Sequence, residues 1–198
     1  MTHVTDVTIS LIDLAALAGD DVLAGVSEGV ALLPPLIERC DGLPPGAVVL
    51  DCRGLVVYTA SHFRESALGL REYCRRTGAD LYPVLGNVNR KTEEELTLFL
   101  RQAGEVFVVC EADARAGVSR PRVLGVLEDK QRLTFDAVAR LGRADAAGLR
   151  AAHPDEGIGL TGWSNRLAAL AARGLLRESR HGRGKVYEPI LEGLTLGR

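Results

Sequence analysis

The chain has 198 residues, 46% of them hydrophobic and 25% charged, with a formal net charge of -2. That length fits one large domain or two small ones, and the composition excludes a disordered or fibrous chain. The near-neutral balance gives no global sign of nucleic-acid binding, so any case for a polyanionic partner rests on where the charges lie.

In chain order, Val7 to Leu11 alternates as a strand does, and Gly25 to Gly29 is a turn cluster in which Ser27 is placed to cap a helix through Val30 to Cys40. Pro34 and Pro35 either start that helix or kink it, because proline lacks the amide donor and crowds the preceding turn. Ala47 to Cys52 is a continuous β-rich apolar run, the pattern of a strand covered on both faces. From Thr59 to Arg76, Phe63, Ala67, Leu70 and Cys74 recur at spacings of 4, 3 and 4, predicting an amphipathic helix that Gly78 ends. Leu81 to Leu85 reads as a strand, Lys91 to Gln102 as a helix and Glu105 to Cys110 as another strand. The Asn87 to Arg90 loop reads as a turn and helix cap. This β-α-β-α-β-α-β alternation predicts an α/β fold, a sheet with helices packed on it, and connections this short leave room for only one layer of helices per face.

The four cysteines, Cys40, Cys52, Cys74 and Cys110, match neither a paired metal-ligand pattern nor a compact disulfide framework, so they are expected as reduced core residues, with no metal and no cofactor. No basic stretch followed by an apolar run opens the chain, and no apolar run approaches the roughly 20 residues of a membrane span. A cytoplasmic protein without a membrane association is expected.

The segment from Glu111 to Arg132 changes character, with Pro-Arg and Glu-Asp-Lys-Gln-Arg stretches and little periodicity apart from Val123 to Leu127, and residues 113–132 are expected as a linker between domains at 1–112 and 133–198. Beyond it, Thr134 to Leu141 and Asp145 to Ala152 read as short helices, the second capped by Asp145. A third helix is expected from Leu160 to Arg173, with Thr161 as cap, Trp163, Leu167 and Leu170 on one face, and Gly174 as its end. Leu175 to Arg180 and Lys185 to Ile190 then alternate as a hairpin around a glycine-rich basic tip.

Three helices followed by a basic hairpin, with the string Asn165-Arg166-Leu167-x-x-Leu170-x-x-x-Gly174-Leu175-Leu176 and the closing Gly184-Lys185-Val186-Tyr187, resemble bacterial winged helix-turn-helix regulators. The resemblance implies that the third helix enters the major groove and the wing reaches the neighbouring backbone. Carried over by position, Trp163, Ser164, Asn165 and Arg166 lie on or near the exposed face of the recognition helix, and Arg180, Arg183 and Lys185 on the wing. Between Trp163 and Tyr187 six cations face Glu178 alone, a local balance of +5 that leaves the rest of the chain at -7. Such a cationic end is an electrostatic footprint for phosphate. The resemblance implies double-stranded DNA as partner and a homodimer that presents two recognition helices.

The stretch Val48-Val49-Leu50-Asp51-Cys52-Arg53-Gly54-Leu55-x-x-Tyr58-Thr59-Ala60-Ser61-His62-Phe63 resembles the STAS fold of sulfate-transporter and anti-sigma-factor-antagonist domains, and more closely STAS-like domains of unknown function, over residues 7 to 112. That implies a mixed sheet with packed helices and a protein partner or ligand at this half. By the family's spacing Ser61 takes the phosphoacceptor position of an Asp-Ser-Ser-Gly signature, in which Thr59, Ala60 and His62 replace the other three residues. The physical alternative makes Ser61 the helix cap. An enzyme built on Ser61, His62 and Arg64 is not expected, since a Ser-His pair adjacent on a helix projects in different directions. The expected function is therefore a DNA-binding, transcription-regulatory protein, with a protein-interaction adaptor in a partner-switching pathway as the alternative.

Overall fold

The computed structural model describes residues 8–113, 115, 117–182 and 184–197. In chain order the first half forms β1 (Thr8–Asp13), α1 (Leu14–Ala18), β2 (Val22–Leu23), α2 (Val26–Cys40), β3 (Gly46–Asp51), β4 (Val57–Tyr58), α3 (Ala60–Phe63), a π-helical turn (Arg64–Leu68), α4 (Gly69–Thr77), β5 (Leu81–Gly86), α5 (Arg90–Ala103) and β6 (Val106–Asp113). Then follow β7 (Gly117–Gly125), α6 (Asp129–Leu141), α7 (Ala146–Ala152), a short 3-10 turn (Pro154–Glu156), α8 (Leu160–Ala172), β8 (Leu176–His181), β9 (Gly184–Pro189) and β10 (Thr195–Leu196).

The main sheet is six-stranded and mixed, in the order β1-β3-β5-β6-β7-β10. The first four strands are parallel, β7 returns antiparallel to β6, and β10 runs parallel to β7. Right-handed crossovers that always step to the next position put every crossover helix on the same face. One apolar cluster accordingly joins Leu36 of α2, Phe63, Ala67 and Leu70 of the third crossover segment and Leu96 and Leu100 of α5 to Val48, Leu50, Leu85 and Phe107 of the sheet. Ala47, Val49, Val84, Val106 and Val108 alternate to the opposite face, where they meet Phe135, Leu149, Trp163, Leu167, Leu170, Leu176 and Tyr187. All six residues of β3 are buried, because helices cover one side of that strand and the C-terminal segment contributes to the other.

Several boundaries differ from expectation for identifiable reasons. Gly25 precedes α2 and no side chain caps it, so Ser27 lies inside the helix; Pro34 and Pro35 are carried within it without starting it. The residues one turn earlier, Val30 and Ala31, are exposed, so water can take the carbonyls that the prolines leave unpaired. Gly29 allows α2 to cross α3 closely, since a Cβ there would lie 2.7 Å from the His62 carbonyl oxygen.

Residues 117–125, expected within a linker, form a strand of the main sheet. Arg120, at φ 50°, and Pro121 sit where the β6-β7 register shifts between Val109 and Glu111. A bulge absorbs a proline that a regular ladder would not, and it breaks the alternating pattern that marks a strand. The apolar cluster on the second face also crosses the expected domain boundary, so the C-terminal helices share a core with the sheet. Among the described residues no helix is long and apolar enough to cross a membrane, and all four cysteines are free and buried.

Candidate functional site

The C-terminal segment is built on α6, α7 and α8. Asp145 caps α7, its carboxylate accepting from the Gly148 amide at 2.6 Å. The amides and carbonyls of Ala144 and Tyr187 exchange two hydrogen bonds, at 2.9 and 2.8 Å, which tie the α6-α7 turn to the hairpin. Helix α8 follows Gly159 with no side-chain cap, so Thr161 is an exposed residue of its first turn and not the cap expected of it. At its end Gly174 takes φ 70°, a left-handed conformation that favours glycine, and the Leu175 amide reaches the Leu170 carbonyl at 3.1 Å.

Trp163 does not lie on the exposed face of α8. It is fully buried beside Leu167 and Leu170, with the His153 ring 5.9 Å away and its indole N–H without a hydrogen-bond partner among the described residues. The 3.6-residue period that puts Trp163 in line with Leu167 and Leu170 is incompatible with outward display. Arg166 is half-buried with its guanidinium 5.7 Å from the Trp163 ring centre. The open face of α8 carries Thr161, Ser164, Asn165, Ala168 and Ala172, all exposed.

On the hairpin Arg180 and Lys185 are direct cross-strand partners, two positions from the pair Glu178 and Tyr187 on the same face. Lys185 is paired with Glu178 at 2.8 Å, and the Tyr187 hydroxyl donates to the same carboxylate at 2.9 Å. Burial works to raise the Glu178 pKa, but the hydrogen bonds from Lys185 and Tyr187 outweigh it and hold the carboxyl below its ordinary value. Burial, and then the bond to Glu178, push the Tyr187 phenol up to about 12. Arg177 pairs with Glu188 at 2.9 Å. Glu188 lies one residue beyond the Trp163 to Tyr187 stretch with its local balance of +5, and brings a second carboxylate to the hairpin. Arg180 is exposed and forms no ion pair among the described residues, whereas Arg183 lies outside the described residues.

In the sheet half, Thr59 and not Ser61 caps α3, its hydroxyl accepting from the His62 amide at 3.4 Å. Ser61 is the second residue of the helix, half-buried, with its hydroxyl 3.1 Å from that of Thr59. The strand-to-helix turn places the cap two residues earlier than expected. The Ala60 amide at this helix start donates to the Glu95 carboxylate at 2.8 Å. His62 turns inward: its Nδ1 is 3.2 Å from the Ser66 hydroxyl, which also lies 2.9 Å from the Tyr58 hydroxyl and donates to the His62 carbonyl at 2.7 Å. With the serine proton so committed, Nδ1–H is the donor in the contact with Ser66. Burial lowers the His62 pKa, against a raising effect of Glu28. Ser61 and His62 thus engage different partners.

At the carboxyl ends of the parallel strands, the Asn87 side chain acts as a strand-end clamp. Asn87, at φ 55°, donates to Asp51 at 2.8 Å and to the Ala112 carbonyl at 2.9 Å, and accepts from the Ala112 amide at 3.0 Å. Asn89 caps α5 through the Thr92 amide at 2.9 Å. Both asparagines therefore have structural partners, and the cap reading of this loop accounts for Asn89. Among the described residues no group of three or more His, Cys, Asp or Glu side chains is arranged to hold a metal ion. Comparison with protein-family models, curated proteins and solved structures found no match for this chain.

Proposed function

We propose that this chain binds double-stranded DNA through α8 and the β8-β9 hairpin, as a winged helix-turn-helix module in transcription regulation, and that the STAS-like sheet half takes up a protein partner or ligand. The observation that carries the reading is the direct opposition of Arg180 and Lys185 toward the hairpin tip. Like charges opposite one another cost stability in an isolated hairpin, and an anionic partner turns that cost into binding. Support comes also from the helix order α6, α7, α8 before the hairpin and from the exposed polar residues Thr161, Ser164 and Asn165 on α8. In this reading Ser164 and Asn165 face base edges, Arg180 and Lys185 face phosphates, and a homodimer presents two such surfaces. The buried free cysteines fit a reducing, cytoplasmic compartment.

The test is fluorescence anisotropy of the full chain with a mixed-sequence duplex at low and moderate salt, beside an Arg180→Ala, Lys185→Ala double variant. Binding that weakens with salt and with the double variant is expected. Two ion pairs, Lys185 with Glu178 and Arg177 with Glu188, neutralise part of the hairpin and favour a second reading, a protein-interaction adaptor without DNA binding. Failure to bind the duplex at low salt would select it.

A further inference from the structure

We propose that an open groove between α5 and β7, remote in sequence from α8 and the hairpin, docks an extended acidic peptide segment of a partner protein. The groove follows from the sheet's width. On the face covered by α2, α3, α4 and α5, the apolar cluster reaches only as far as Leu124 of β7. Past α5 the sheet continues through Arg122 and Thr195, paired in register, with Thr195 exposed. The resulting groove, about 640 Å3, runs along Arg90, Glu94, Leu98 and Arg101 of α5 and is closed on the other side by Val126 and Arg132.

Its charges are unequal. Arg90 pairs with Glu94 at 2.8 Å and Arg122 with Glu93 at 2.5 Å, so both carboxylates in the groove are already neutralised. Arg101 and Arg132 are exposed and form no ion pair among the described residues, leaving two guanidinium groups for an acidic ligand. Leu98 and Val126, 57% and 49% exposed, add apolar surface to the two sides of the lining.

This lining favours peptide over nucleic acid. No aromatic side chain lines the groove to stack a base. From Arg90 to Arg101 the helix rises about 16 Å, the span of about five extended residues. β10 pairs with β7 at Arg122 and Val123, and the Gly197 amide donates to the Val123 carbonyl at 3.3 Å, so past Val123 only Leu124 and Gly125 of that edge lack a strand partner among the described residues.

The probe is a fluorescein-labelled six-residue peptide of alternating glutamate and leucine, titrated against the full chain by fluorescence polarisation at low salt. A lysine-leucine peptide and a short single-stranded oligothymidylate serve as comparisons. The acidic peptide is expected to bind, the lysine peptide not to bind, and an Arg101→Ala, Arg132→Ala double variant to weaken binding at least about tenfold. Leu98→Ser is expected to weaken it by about threefold. These side chains are exposed, so a circular-dichroism melt matching the parent shows that the fold is kept. Affinity unchanged in the double variant, equal binding of the lysine peptide, or no binding at about 1 mM peptide would overturn the proposal. Oligothymidylate binding tighter than that of the peptide, and lost with the same arginines, would overturn it in favour of a nucleic-acid groove.

Discussion

The carbonyl of Arg173, at the end of α8, accepts a hydrogen bond from the guanidinium of Arg71 in α4 at 3.2 Å. The same guanidinium donates to the Val106 carbonyl at 2.6 Å and to Glu105 at 2.8 Å, and lies 5.6 Å from the Phe107 ring centre. Arg173 answers in the other direction, donating to Gln131 at 2.6 Å and to the Gly104 carbonyl at 2.5 Å. Two cations within the folded unit thus cross-tie the sheet to the C-terminal helices, and Arg173 is occupied in structure and unavailable to a phosphate.

Arg71→Met keeps much of the aliphatic stem and removes all three hydrogen bonds, leaving part-buried acceptors to find other partners. A loss of roughly 2 kcal/mol is expected, read as a lowered midpoint in urea denaturation. Because one apolar cluster spans both halves, the parent chain is expected to unfold in a single transition. Two resolved transitions would contradict a shared core.

Trp163 separates packing from recognition. Trp163→Ala should cost about 3 to 5 kcal/mol. Trp163→Phe should cost clearly less, because it removes less volume and also deletes an indole donor that has no partner among the described residues. If α8 reads DNA with its opposite face, the folded Trp163→Phe chain keeps the duplex affinity of the parent in the anisotropy titration. A selective loss of affinity at unchanged stability would return Trp163 to the interface.

Glu178 restrains the hairpin cations. Glu178→Gln keeps an acceptor for the Tyr187 hydroxyl while it releases Lys185 from its ion pair and removes one negative charge next to Arg180. Duplex affinity at low salt is expected to rise by about threefold, and the gain to shrink as salt screens the surface. Weaker binding in the variant would show that the Lys185-Glu178 geometry, and not the free charge, supports the hairpin.

The helix cap at the start of α3 distinguishes two neighbouring hydroxyls. Thr59→Ala removes the acceptor for the His62 amide and should cost about 1 kcal/mol, whereas Ser61→Ala, which loses only the contact with Thr59, should stay within about 0.5 kcal/mol. Thermal melts of the two variants give the order directly. The reverse order would restore Ser61 as the cap.

What the sequence discloses follows the strength of its local periods. The crossover segment from Thr59 onward was legible because Phe63, Ala67, Leu70 and Cys74 hold a helical spacing, and all four are buried. The π-helical turn inside it was not legible, since an i to i+5 slip leaves the apolar stripe intact; the buried Ser66 lies in that turn. β7 escaped because its bulge at Arg120 and Pro121 breaks the alternation that identifies a strand. At the candidate site, the basic hairpin residues were visible as charges, but the partners that neutralise Arg177 and Lys185 are set by strand register. The inward turn of Trp163 was legible in its spacing to Leu167, and the positional carry-over from regulators obscured it.

The buried triad of Tyr58, His62 and Ser66 makes stability depend on pH. His62 is 1% exposed and its pKa is lowered by burial, with Glu28 acting in the opposite sense. The folded state therefore binds a proton less readily than the unfolded chain, whose histidine titrates near 6.5. Between those two values the unfolded state holds more protons, so stability rises with pH there. The His62 contribution is fully present above about pH 6.5 and is lost as the pH falls through the lower, folded value. Urea denaturation at a series of pH values from about 5 to 7.5 should show this slope in the parent chain. His62→Gln, which retains a hydrogen-bonding side chain but cannot titrate, should flatten it, whatever the variant's overall stability. An equal slope in both chains would assign the pH dependence to other groups and would mean that His62 is as easily protonated in the fold as out of it.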